Sequence, residues 1–361
     1  MERVTKKRLH LISGRSNLPL AEEIADNLGI ELDDPNLAEF ANGEIHCRFG
    51  DSVRGSDVFI VQTHADTPEM SVNDAIMEQL IMVDAARRAS AKRITAVSPH
   101  YGYGRQDRKA EGREPITAKL VANLFKAAGC SRLVSVDLHS GQIQGFFDGP
   151  VDHLTAMPVL IRYLRSMGED IVVVSPDAGR VKVAEKYSVA LNADLAFVHK
   201  RRVKGAKNKV EAKGVIGDVE GRICVIIDDM IDTAGTIVAA ADVLKANGAE
   251  SVVAAATHGV LSGPAVDRLK NSVIEKVVVT DTQPIHSEKQ FDKLEVLSVA
   301  PIIADAIESV FEDTSVSEIF DGHNQSLSAT AMPELPRVAA AYGAGTIGTA
   351  QVEELARTHA N

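Results

Sequence analysis

Residues 222–236, RICVIIDDMIDTAGT, decide how this chain is read. An apolar run, 223–227, ends in two adjacent carboxylates, Asp228 and Asp229. A turn-forming loop, Asp232-Thr233-Ala234-Gly235-Thr236, then leads into a helical pattern over 237–246. The short β-branched run predicts a buried strand. Small hydroxyl residues ahead of a helix supply backbone N–H groups with the helix's positive end behind them. Such a loop suits a sugar phosphate, with the carboxylates accepting hydrogen bonds from vicinal sugar hydroxyls or helping to hold a metal. The same letters also fit a plain βα turn with two solvated acids. Acids and loop sit together at a strand's C-terminal end, where open α/β sheets bind ligands, and this favours the phosphosugar reading.

Outward from that stretch, short apolar strand patterns alternate with helical ones. Strands are expected at 9–13, 58–62, 94–98, 133–136, 171–175, 224–227 and 252–256, and helices at 20–28, 72–89, 116–128, 159–167 and 237–246. The alternation predicts mostly parallel sheets covered by helices. The order also repeats. LISGRSNLPLAEE (11–23) parallels VVSPDAGRVKVAE (173–185), and DPNLAEF (34–40) parallels NADLAFV (192–198). VRGSDVFIVQTHADT (53–67) parallels VEGRICVIIDDMIDT (219–233) without a gap, and AKRITAVSPH (91–100) resembles AESVVAAATH (249–258). A duplicated α/β unit accounts for this, with a boundary near 150–157 where Gly149-Pro150 and Pro158 punctuate the chain; chance similarity between βα units is the competing account. In the first copy the acid pair has become Gln62-Thr63 and the loop Pro68-Glu69-Met70, so only the second copy keeps a phosphosugar cradle. From about 326 the chain turns Ala-, Gly- and Thr-rich, which reads as a mobile tail with a short helix at 350–358.

Composition bounds the function. The 361 residues suggest about two domains. A formal net charge of −11 argues against a general nucleic-acid or anionic-membrane binder. Three scattered cysteines, Cys47, Cys130 and Cys224, argue for a reducing compartment and against a zinc site. No signal-peptide core or membrane-length apolar run is present, so the expected location is the cytoplasm.

Three further clusters carry chemistry. No P-loop motif occurs, so a bound nucleoside triphosphate would need side chains and metal. After Ser98-Pro99-His100 comes YGYGRQDRKAEGREPIT (101–117), whose guanidiniums suit bidentate phosphate contacts; a solvated charged loop is the alternative. In VDLHSGQIQGFFDGPVDH (136–153), Asp137 and His139 stand two apart at a strand end, a pairing that can hold a divalent metal or be structural. VSPDAGR (174–180) offers Asp177 in the same role. FVHKRRVKGAKNKV (197–210) concentrates six cations in an acidic protein, as an anion-facing loop or a nonspecific basic patch.

With these residues placed, the chain resembles the ribose-phosphate pyrophosphokinases of the phosphate-activated class, over residues 8–322. The resemblance rests on FANGE (40–44), YGRQDRK (103–109), DLHSGQIQGFFD (137–148), SPDAGR (175–180), HKRR (199–202) and DDMIDTAGT (228–236). It implies two tandem type I phosphoribosyltransferase-like α/β domains, 1–155 and 156–325, with 326–361 as a tail. The implied reaction moves the βγ-diphosphate of ATP to the 1-hydroxyl of ribose 5-phosphate, giving 5-phospho-α-D-ribose 1-diphosphate and AMP for nucleotide, histidine and tryptophan biosynthesis.

Roles follow by resemblance. Phe40, Asn42, Gly43 and Glu44 match the segment that receives adenine from a neighbouring subunit. Arg105 and Gln106, with Asp107 and Lys109 beside them, match ATP contacts at the start of a mobile flap. His139 and Asp177 match the Mg²⁺ positions, with Asp137 close by. Lys200 matches the catalytic lysine and Arg202 the partner that closes over the substrates. Asp228, Asp229, Asp232, Thr233, Ala234, Gly235 and Thr236 match the ribose 5-phosphate site. A hexamer built from dimers, activation by inorganic phosphate and inhibition by ADP are implied as well. Gly104 and Arg180 stand where Ala and Gly are common in the family.

Overall fold

β-Branched runs followed by glycine- or proline-marked turns and amphipathic stretches fold here into two helix-flanked sheets. A computed structural model describes residues 7–168, 170–201 and 212–320. In chain order come β1 (Leu9–Ser13), α1 (Leu18–Leu28), the short hairpin β2 (Ala38–Glu39) and β3 (Ile45–His46), β4 (Asp57–Val61), and α2 (Val72–Arg88). Next are β5 (Arg93–Ser98), α3 (Thr117–Ala128), β6 (Arg132–Val136), β7 (Val151–Leu154) and α4 (Met157–Arg165). The second run begins with β8 (Ile171–Ser175), α5 (Val181–Leu191), β9 (Asp194–Arg201), β10 (Ala212–Ile216), β11 (Ile223–Ile231) and α6 (Gly235–Ala246). It ends with β12 (Ser251–Gly259), α7 (Ala265–Lys270), β13 (Lys276–Thr280), β14 (Leu294–Leu297) and α8 (Ala300–Phe311).

The first sheet has the order β1-β4-β5-β6-β7, all parallel. The second, β10-β9-β8-β11-β12-β13-β14, contains the same five-strand order, β8-β11-β12-β13-β14, also parallel. It adds parallel β9 and antiparallel β10 at one edge. The repeat seen in the sequence is thus a repeat of topology. It weakens at 34–40: where the second copy builds β9, the first leaves one parallel bridge, Ile12 to Asp33, and the two-residue β2.

Alternation along each strand feeds two cores per sheet. On the first sheet, Ile12, Val58, Ile60 and Ala96 pack under α2 and α3, with Phe125 fully buried there. Leu11, Phe59, Val97 and Val134 face the other way, onto α1. The helix sharing that second face is α8, through Ile302, Ile303, Ile307 and Val310. The sequence division at 155 puts α8 in the second unit, but it packs on the first sheet. Reciprocally, α4 follows β7 of the first sheet and packs on the second, where Leu160, Ile161 and Leu164 join α5 over Val173, Val225 and Val253. Each copy's last helix therefore covers the other copy's sheet. Burial of these large side chains, roughly 1.5–3 kcal/mol each, ties the two sheets into one folding unit.

Candidate functional site

The decisive strand is longer than its apolar run. β11 continues through Asp228 and Asp229 to Ile231, so the acids lie in the ladder and only 232–234 form the loop. Ala234 takes a left-handed conformation, φ 60°, immediately before α6. Helix α6 then starts with no side-chain cap on its first N–H groups. The equivalent helix of the first sheet, α2, is closed by its own sequence: Ser71 and Asp74 form a reciprocal capping box. The Gln62 and Thr63 that replace the acid pair are fully buried, and Gln62 is engaged by Ser16 and Glu78. One cradle is filled in by side chains; the other is open.

The open cradle lies in a cavity of about 190 Å³ lined by Arg105, His139, Asp177, Arg180, Asp228, Asp229 and residues 230–237. The Asp228 carboxylate turns back to accept the Asp229 N–H at 2.9 Å. Arg180 meets both acids, Nε to Asp228 at 3.3 Å and a terminal nitrogen to Asp229 at 2.8 Å. His139 Nδ1 lies 2.7 Å from Asp229 and 2.9 Å from Arg180. Asp229 accepts and Arg180 donates, so the single His139 Nδ1 can hydrogen-bond only one of them at a time: as N–H it donates to Asp229, and as a lone pair it accepts from Arg180. Burial, the hydrogen bond with Asp229 and that neighbour's charge push the Asp228 carboxyl up to about 8. Burial acts against Asp229 too, but His139 and Arg180 hold it well below the usual carboxylate range.

Across the loop, Arg105 forms an ion pair with Asp232, whose other oxygen accepts from Ser262 at 2.5 Å. Burial opposes the charge on Asp232, yet Ser262 and Arg105 lower its pKa. Arg105 and Gln106 also border a larger cleft of about 540 Å³ between the two sheets, with His64, His100, His139, His258 and Gln283. The His64 side chain keeps Gly102 bare: a methyl group there would come 2.9 Å from His64 Cβ, and the Gly102 N–H donates to His64 Nδ1 at 2.8 Å.

The remaining candidates separate. Asp137 sits in the seam, where one carboxylate oxygen accepts from Thr257 at 2.6 Å and from the Ala156 N–H at 2.9 Å. That joins the end of β6 to β12. Asp177 accepts the N–H groups of Gly179 and Arg180 through Oδ1 and lines the cradle cavity. Asp107 is buried and accepts from Gln142 at 2.6 Å; Lys109 is exposed in the loop beyond it. Phe40, Asn42, Gly43 and Glu44 form the exposed tip between β2 and β3, with Phe40 55% exposed. Lys200 is placed on β9, in register with Lys213, but its side chain, all of Arg202 and the basic run to 210 lie outside the described residues. So do the tail and its expected helix.

For Mg²⁺, no three His, Cys, Asp or Glu side chains converge to hold an ion among the described residues. Mg²⁺ keeps water and phosphate oxygens around one or two protein donors, and His139 and Asp177, which line the same cavity, are donors of the kind it takes. Sequence reasoning missed Arg180 as a site residue, although it stands three positions after Asp177. It also missed His100 and His258, which end the matched segments 91–100 and 249–258.

Residues 9–129 match the N-terminal domain of ribose phosphate pyrophosphokinase, and residues 177–321 the phosphoribosyl synthetase-associated domain. A ribose-phosphate pyrophosphokinase of Streptomyces avermitilis is 54% identical over 318 residues, 88% of this chain and 97% of that protein. One from Bifidobacterium longum is 55% identical over 320 residues, 87% of this chain and 93% of its own. The crystal structure of phosphoribosylpyrophosphate synthetase from Mycobacterium smegmatis superposes with a TM-score of 0.80 at 51% identity, covering 85% of this chain and 100% of that one. With more than half its residues shared over nearly the whole length of such relatives, the chain belongs to the ribose-phosphate pyrophosphokinase family.

Proposed function

We infer that this chain transfers the βγ-diphosphate of ATP to the 1-hydroxyl of ribose 5-phosphate, releasing AMP and 5-phospho-α-D-ribose 1-diphosphate. The contrast between α2, closed by its own capping box, and α6, uncapped beside Asp228 and Asp229, carries this reading. The free N–H groups of 234–236 and the hydroxyls of Thr233 and Thr236 receive the 5-phosphate. Asp228 and Asp229 accept the vicinal sugar hydroxyls. Arg105, at the junction of this cradle and the larger cleft, faces the triphosphate, with Gln106 beside it.

Phosphoryl-group transfer needs position and charge neutralisation more than a covalent nucleophile. Lys200, Arg202 and Arg105 take up the negative charge that develops toward AMP. Mg²⁺, when bound, neutralises the diphosphate and polarises the sugar hydroxyl; His139 and Asp177 would hold it, with Asp137 behind them. Closure of 101–116 over the cleft excludes water as a competing nucleophile. Phe40, Asn42, Gly43 and Glu44 receive the adenine of a neighbouring subunit, a role that suits an exposed aromatic outside the cavities. Asp107 and Lys109 extend the ATP-binding segment that starts at Arg105. The assembly is a homohexamer in the cytoplasm, activated by inorganic phosphate and inhibited by ADP, and residues 1–155 and 156–325 act as its two domains. No helix among the described residues is long and apolar enough to cross a membrane.

The test is to incubate purified protein with ATP, Mg²⁺ and ribose 5-phosphate and follow AMP. Formation of AMP only with the sugar present supports the reading. Sugar-independent AMP, or none at any phosphate concentration, overturns it.

A further inference from the structure

Arg180 occupies a position that the site's chemistry assigns to something else. Its guanidinium bonds Asp228 at 3.3 Å and Asp229 at 2.8 Å, and one terminal nitrogen lies 2.9 Å from His139 Nδ1. A further contact of 3.4 Å reaches the His139 carbonyl. Sugar hydroxyls and a divalent cation would compete for the same acceptors. Four residues, His139, Arg180, Asp228 and Asp229, line both the cradle cavity of about 190 Å³ and a second cavity of about 290 Å³ behind it. The Arg180 side chain is therefore a partition through one acidic trough. Its placement is built in: Asp177 Oδ1 accepts the backbone N–H groups of Gly179 and Arg180, fixing the turn that aims Arg180 inward from the start of α5. The side chain is only 20% exposed, so solvent screens this pairing weakly.

We propose that Arg180 is a displaceable internal cation, paired with Asp228 and Asp229 before substrates bind and leaving them when ribose 5-phosphate and Mg²⁺ bind. This deepens the reading of the cradle as the ribose 5-phosphate site and rests on it. Two nearby carboxyls resist ionising together and are costly to bury; the guanidinium offsets part of that cost until the substrates arrive. The consequence is competition. Sugar affinity is lowered by the fraction of molecules in which Arg180 is out of the way.

The test is calorimetric titration of the full chain with ribose 5-phosphate at fixed Mg²⁺, without ATP, for the parent, Arg180→Gly and Arg180→Gln. If the paired state holds nine molecules in ten, both variants bind the sugar about tenfold more tightly than the parent. The advantage shrinks as Mg²⁺ rises, because the ion then displaces Arg180 for the sugar. Equal or weaker binding by the variants overturns the proposal, since Arg180 would then be inert or a direct substrate ligand. Unfolding of both variants, seen by far-ultraviolet circular dichroism, counts against it too, because a group that leaves at each turnover cannot be what holds the fold. AMP release is measured separately. Tighter sugar binding without AMP formation sinks the catalytic reading and leaves Arg180's role standing; normal AMP formation with unchanged binding does the reverse.

Discussion

His100 and His258 meet edge to face, their ring centroids 4.7 Å apart and their planes at 70°. One follows β5, the other lies near the end of β12, and they are equivalent positions of the repeat. The duplication thus sets a residue against its own copy across the cleft. His100 Nδ1 donates to the His64 carbonyl at 3.1 Å, and His258 Nε2 to the Asp137 carbonyl at 3.1 Å. Burial, reinforced by the His258 neighbour, pushes His100 down to about 3, and burial lowers His258 as well. His64, fully buried, is also brought down to about 3 by burial, against a partly offsetting hydrogen bond that its Nε2–H gives to Gln79 Oε1.

These buried neutral rings predict loss of stability in mild acid. Between pH 6.5 and 3 the unfolded chain takes up protons that native His64 and His100 refuse, so stability falls as pH falls. Each ring contributes a slope approaching about 1.4 kcal/mol per pH unit below its unfolded pKa. Asp228 works the other way: its raised pKa makes the native site bind a proton first, a contribution lost as pH rises from about 4 to about 8. Buried Asp281, pushed up to about 7, acts in the same sense as Asp228, so the net slope is that of the lowered histidines, His258 included, less two carboxylates. Urea unfolding at pH 7, 6 and 5 should show the decline, and His64→Gln should flatten it by about 1.4 kcal/mol per unit between pH 6 and 5. An unchanged slope would remove His64 from this account.

Arg105 and Asp232 link the flap segment to the cradle loop, but Arg105 is 59% exposed. An exposed pair contributes about 0–1 kcal/mol, so Arg105→Ala should leave the unfolding free energy within about 1 kcal/mol of the parent. Turnover should fall by about 10², as expected when a charge clamp on a transferring phosphoryl group is lost. Parent-like turnover would exclude Arg105 from the reacting centre.

If Asp228 accepts a sugar hydroxyl as proposed, Asp228→Ala should weaken ribose 5-phosphate by about tenfold or more while ATP binding changes little. Competition assays against each substrate measure this directly. Equal losses for both would contradict the division between cradle and cleft.

Helix α8 should matter most to a sheet distant in sequence. Ile303 is fully buried against α1 and the first sheet, so Ile303→Ala should cost about 2–5 kcal/mol. Hydrogen exchange should then quicken in β1 and β4 before β12 and β13. Loosening confined to the second sheet would refute the exchanged packing of the terminal helices.

The sequence by itself determined the βα alternation, the repeat, the surviving cradle and its degenerate twin. All of these rest on local chemistry: periodicity, β-branching, and small residues ahead of a helix. Residues 222–236 show it well, since an apolar strand, two acids and a small-residue loop ahead of a helix are all written within fifteen letters. Tertiary structure decided what depends on long-range packing. It placed α8 on the first sheet and α4 on the second, because a helix with one apolar face covers whichever sheet the chain can reach. It drew Asp137 into the seam with Thr257, buried Asp107 against Gln142, and laid Arg180 across Asp228 and Asp229. No local pattern specifies those partners. A carboxylate reads the same in sequence whether it ends bonded to a distant donor or facing a substrate, and only the fold determines which.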